Sequence, residues 1–265
     1  EIRASTSRAA WAAMRRATGR LDALRLPSSR PRARPRNPER TGVPMPVPMP
    51  LPSLVAPLLA WTQTAEPAAA HGDALIASGL RTEVLFSNVV EPCARALDDG
   101  VRAHRYAEAD VTMGLVRLQT LVRCIGAAGR PHPGFLPRSV LLAAAPGEPH
   151  ALDAAIASEC FRLAGWEVVE MFGVTDAAIA HLLQGRRFDA LLLSLGRTDD
   201  AASRVHALRQ SIDTARAAAD DPRFVVLVCG RAFVDGGHCA REVGASAACT
   251  SAVDAPRTAE RLLSD

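Results

Sequence analysis

Lysine is absent from this 265-residue chain, so all 31 of its basic residues are arginine. That absence excludes a phosphate-cradling GxxxxGK[ST] loop, whose lysine reaches the phosphates. No GxGxxG dinucleotide loop and no GxSxG nucleophile elbow occurs where a strand meets a helix. The six cysteines (Cys93, Cys124, Cys160, Cys229, Cys239, Cys249) form no CxxC pair. A tetrahedral metal site therefore lacks its usual ligand spacing. With no secretory n-region and h-region, reduced thiols in a cytoplasmic protein are expected. The apolar stretch Leu51 to Trp61 is short and interrupted by Pro52 and Pro57, which excludes a bilayer span there.

What is present is unevenly spread. Residues 1–40 carry eleven arginines against Glu1, Asp22 and Glu39, and residues 1–67 hold eleven of the nineteen prolines. An arginine-rich arm can touch nucleic-acid phosphates. Interleaved with Pro27, Pro31, Pro35 and Pro38, it reads instead as a disordered leader and linker over 1–67. From 68 to 134 a helical region is expected. Val111, Leu115, Leu118, Val122 and Ile125 recur at helical steps, and a weaker pattern (Val84, Leu85, Val89, Leu97) has Pro92 and Gly100 as breakers. Two or three helices fit in this stretch.

Residues 135–265 alternate apolar runs with helical segments. The runs are 140–145, 166–172, 188–193, 224–229 and 245–250; the helices are 152–164, 176–184, 199–219, roughly 238–243 and 256–263. Continuous apolar strands imply burial on both faces, as in a parallel sheet covered by helices. The expectation is an α/β, doubly wound, flavodoxin-like sheet of five parallel strands in the order 2-1-3-4-5.

In such a sheet ligands bind beyond the carboxyl ends of the strands, where the winding reverses. The loop after strand 1 carries Ala145-Pro146-Gly147, which excludes a phosphoacceptor receiver with its acidic residues. The same loop offers Glu148-Pro149-His150, a histidine two residues after a carboxylate. An imidazole can ligate the cobalt of a corrin, with a carboxylate orienting its other nitrogen. Ser194 and Gly196 follow strand 3, and Gly230 follows strand 4, supplying a hydroxyl and small residues for a cofactor tail. Arg197 and Arg231 read as solvated charges on the rim.

This region resembles the cobalamin-binding domains of methionine synthase, mutases and corrinoid proteins, with their Asp-x-His-x-x-Gly, Ser-x-Leu and Gly-Gly motifs. Glu148 falls on the motif Asp, His150 on the His, Asp153 on the first Gly, Ser194 on the Ser, Gly196 on the Leu and Gly230 on the second Gly of the pair. The resemblance implies cobalamin as cofactor, His150 as cobalt ligand, and Glu148, Asp153, Ser194, Gly196 and Gly230 around it. Within the superfamily, Glu-x-His resembles the sensory branch of AerR/PpaA-type antirepressors of photosynthesis genes. That branch implies a non-enzymatic, light-responsive transcription regulator acting on a CrtJ/PpsR-type repressor, with indirect DNA contact and no membrane. The alternative is a corrinoid carrier of a methyltransferase system. It is set second because carriers keep a fuller helical bundle and a glycine where Asp153 stands.

Overall fold

The computed structural model describes residues 51–129, 138–145, 147–148, 151–196, 200–219, 221–235 and 237–264. Its first half is helical: α1 (Pro52–Thr62), α2 (Ala68–Ile76), α3 (Thr82–Leu85), a π turn (Phe86–Val90), α4 (Glu91–Arg102) and α5 (Glu108–Ala128). The expected linker over 1–67 is therefore corrected from Pro52 onward. Proline at the first helical position loses nothing, because that N–H has no helical partner anyway. Pro57 frees only the carbonyl of exposed Ser53. Leu54, Leu58 and Trp61, spaced four and three apart, are then buried against the rest of the bundle.

Pro92 and Gly100 do not break their helix. Pro92 cannot donate to the carbonyl four residues back, that of Asn88, and the helix widens into the π turn just before it. The freed Asn88 carbonyl accepts from Leu51 N–H at 2.9 Å, which docks the start of α1. Gly100 lies under the Tyr106 ring, where a Cβ would fall 2.2 Å from a ring carbon. The helix ends two residues beyond Gly100, at Arg102, followed by His104 in a left-handed conformation (φ 52°) and by Arg105, whose N–H bonds to the Gly100 carbonyl at 2.8 Å.

Helix α5 alone among the described helices has the length and apolar composition to cross a membrane. It buries Val111, Leu115, Leu118, Val122 and Ile125 in the core, and Gly114 comes within 3.0 Å of Leu97 measured from an ideal Cβ. It is the central helix of the bundle.

The second half is the expected sheet. Strands β1 (Ser139–Ala144), β2 (Glu167–Met171), β3 (Ala190–Ser194), β4 (Val225–Cys229) and β5 (Ala247–Ala248) are all parallel, in the order β2-β1-β3-β4-β5. Leu142, Leu192 and Leu227 stand level on one face, with Ile156 and Phe161 of α6 (Leu152–Leu163) and Ala259 of α10 (Ala255–Ser264) packed over them. The other face is covered by α7 (Asp176–Gly185) and α8 (Ala201–Ala219). A short α9 (Arg231–Val234) follows β4, and the predicted helix near 238–243 is a 3-10 turn, Ala240–Val243. The bundle and the first sheet face share one continuous apolar core.

Candidate functional site

The winding reverses between β1 and β3, and the loops beyond them are tied together. Ala145 N–H donates to the Ser194 carbonyl at 2.8 Å, and Leu195 N–H to the Cys229 carbonyl at 3.0 Å. Gly147, at φ 76°, lets the chain turn back so that Glu148 N–H reaches the Ala145 carbonyl at 2.8 Å. The Glu148 side chain is only 6% exposed, and its carboxylate accepts from Gly196 N–H at 3.0 Å and lies 3.5 Å from Arg204 Nη2. Glu148 thus braces the β1 loop against the β3 loop. His150, the expected cobalt ligand, lies outside the described residues, as do Pro149 and Arg197.

The other expected residues converge on the same sheet edge. Asp153 stands in the first turn of α6, where a carboxylate complements the helix dipole. Burial first, and then the nearby Glu148 charge, push its carboxyl up to about 6. Ser194 is buried, and its Oγ has no hydrogen-bond partner among the described residues. By strand alternation it shares the face of Leu192, toward α6. Gly196 and Gly230 are small for reasons internal to the protein. A Cβ on Gly196 would sit 3.1 Å from the Glu148 carboxylate oxygens. One on Gly230, at φ 103°, would sit 2.4 Å from the Leu195 carbonyl oxygen.

Over this edge lies α4, and between them is a cavity of about 110 Å³. Asp153, Gly196, Gly230 and Arg231 form its floor, Ser251 and Thr250 one wall, and Glu91, Arg95 and Asp98 its roof. Sequence reasoning missed the roof entirely, because nothing local links residue 91 to residue 251. Ser251 Oγ donates to Glu91 Oε1 at 2.8 Å. Burial, reinforced by Asp153, pushes the Glu91 carboxyl up to about 8. Arg231 is no solvated rim charge. Its Nε lies 2.8 Å from Asp235, its Nη2 3.3 Å from Asp99, and its Nη1 contacts Asp98.

These residues suit a corrinoid. A buried hydroxyl without a partner costs free energy unless a ligand supplies one, and among the described residues Ser194 holds such a hydroxyl at the reversal point. Among the described residues, no cluster of His, Cys, Asp and Glu is arranged to hold a bare metal ion. Four of the thiols are unreactive packing: burial pushes Cys93 and Cys249 up to about 12, and Cys160 and Cys229 are raised as well.

No protein-family model and no curated protein matches the sequence. Among solved structures, the chain is similar to the monomethylamine corrinoid protein of Methanosarcina barkeri, with TM-score 0.60 and 13% identity over 77% of this chain and 96% of that one. It also aligns with a novel cobalamin-binding protein from Desulfitobacterium hafniense DCB-2 (TM-score 0.41, 16% identity, 79% and 98% covered). A third is the methanol:cobalamin methyltransferase complex MtaBC from Methanosarcina barkeri (TM-score 0.41, 15% identity, 85% and 86% covered). At these values the first likeness establishes a shared fold and the other two establish nothing further.

The chain therefore has the fold of a corrinoid protein, bundle and sheet together. This corrects the expectation of an AerR/PpaA-type antirepressor. That reading preferred a regulator because the helical stretch looked too small for a carrier, and α1 to α5 are the bundle thought to be missing. The transcriptional and photosynthetic role, the light response, the CrtJ/PpsR-type repressor partner and the indirect DNA contact all fall with it, since the likeness spans 96% of a corrinoid protein.

Proposed function

We propose that this chain is a corrinoid carrier that serves a separate methyltransferase and is not itself a catalyst. The observation that carries the reading is the buried hydroxyl of Ser194, without a hydrogen-bond partner among the described residues and set at the sheet's reversal point, two residues before Gly196 in the lining of the cavity. When bound, a corrinoid supplies a cobalt centre able to accept a methyl group and pass it on. The chain's own residues bind and orient it. His150, two residues after Glu148 in sequence, would ligate the cobalt, and Glu148 would act by fixing the β1 loop to Gly196. Ser194 would donate to the cofactor's tail, Gly196 and Gly230 let the strand-end loops close on Glu148 and Leu195, and Asp153 lines the adjoining cavity.

Comparing cobalamin with cobinamide, which lacks the nucleotide tail, tests this. Wild type is expected to bind cobalamin more tightly, and Ser194→Ala to lose about tenfold of that preference, on the order of one hydrogen bond to a buried group. Equal affinities of wild type for the two corrinoids would remove Ser194 from the site. Methyl transfer from the loaded chain to a thiol acceptor, through an added methyltransferase, tests the carrier role directly.

A further inference from the structure

The cavity is far smaller than the several hundred Å³ typical of small-molecule sites, yet it stands where a large ligand must bind. Two different seams join the halves around it. At one, α5 packs against α6, with Gly126 so close that a Cβ would lie 2.4 Å from Glu159 Oε2. At the other, over the cavity, α4 meets the sheet edge through polar groups: Glu91 with Ser251, and Asp98 and Asp99 with Arg231.

We propose that Arg231 is the latch of a lid, holding the bundle closed over the sheet edge by clasping Asp98 and Asp99, and that its release admits a ligand too large for the closed cavity. All three guanidinium nitrogens are engaged. Asp235, four residues along the same loop, holds Nε and so aims the two terminal nitrogens at α4. The backbone beneath is fixed: Gly230 rests on Leu195, and Ala232 N–H bonds to the Leu195 carbonyl at 3.2 Å. The partners on α4 cannot leave alone, because Cys93 and Leu97 on the same helix are fully buried in the bundle. Any opening at this edge must therefore displace α4 together with the bundle side chains packed around Cys93 and Leu97. The clasp is built to open: Asp98 and Asp99 are 39% and 54% exposed, so water and salt compete for it.

The nature of the admitted ligand rests on the corrinoid reading; the latch does not. The test uses the full chain as wild type, Arg231→Gln and Asp98→Asn/Asp99→Asn, in two measurements. Amide hydrogen exchange on the ligand-free protein is expected to quicken roughly three- to tenfold around Glu91, Ser251 and Ala252 in both variants, the scale of a modest ion-pair network. Stopped-flow association of hydroxocobalamin is expected to quicken by a similar factor. Raising salt should accelerate wild type and leave the variants unchanged. Exchange in both variants equal to wild type overturns the latch. Should Arg231→Gln fail to fold, the aspartate pair decides alone, since those side chains are partly exposed. If wild type takes up no hydroxocobalamin, the corrinoid reading falls and the exchange result still judges the latch.

Discussion

The two seams between bundle and sheet differ in kind. Where α5 meets α6, the contact is close, and the buried carboxylate there, Glu159, is pinned by Arg162 at 2.6 Å with Arg123 at 3.8 Å. Arg123 and Arg162 both reach on to Glu170 at the end of β2, so bundle, helix and sheet are riveted at one point. Where α4 overhangs the sheet edge, polar pairs, partly exposed, bridge the two halves around a cavity. Close packing tolerates no shift, whereas ion pairs and a protonated carboxyl exchange partners with water at modest cost. The first seam sets the architecture and the second leaves room for a ligand.

Gly126→Val attacks the first seam and is expected to have the largest effect. It drives a branched side chain into pinned Glu159, at a cost of about 3 kcal/mol read by denaturant unfolding. A loss no larger than that of an ordinary surface substitution would mean the seam is loose.

Glu91 tests the second seam through pH. Its carboxyl titrates near its ordinary 4.5 when unfolded and about 8 when folded. Folding therefore favours the protonated form. The stabilisation is complete below about 4.5 and is lost as pH rises through about 8, a few kcal/mol at most from the size of the shift. Asp153, raised to about 6, acts with the same sign at lower pH. Thermal melts from pH 5 to 9 should show wild type weakening with pH and Glu91→Gln much flatter. Parallel profiles would show that Glu91 is hydrated. Arg231→Gln should cost least in global stability, about 1 kcal/mol or less, because the clasp is partly exposed. A far larger loss would make it part of the architecture.

The same contrast separates what the sequence discloses from what it hides. Val140–Ala144, Ala190–Ser194 and Val225–Cys229 are legible as strands because they are buried on both faces and hence apolar throughout except for Ser194 at the end of β3. Strand β5 was overdrawn at six residues, since two alanines, Ala247 and Ala248, pair with β4. Helix α1 carried its signal in the spacing of Leu54, Leu58 and Trp61, masked by prolines that its first turns tolerate. Pro92 misled for a related reason: a tertiary hydrogen bond from Leu51 takes the carbonyl it abandons. That Asp153, Ser194, Gly196 and Gly230 gather at one edge of the sheet was readable from topology, because strand ends are fixed by the fold. The roof of the site was not. Asp98 and Asp99 look like an ordinary solvated pair, and only folding brings them to Arg231, more than 130 residues away.

The central claim is that a corrinoid binds at this edge through an imidazole from the β1 loop. Its most direct test is an absorbance titration of hydroxocobalamin into wild type and His150→Ala. Wild type should bind one equivalent with the spectrum of a histidine-ligated cobalt, and His150→Ala should lose that spectrum. A wild-type protein that leaves the corrinoid free, or a variant with an unchanged spectrum, would contradict the account.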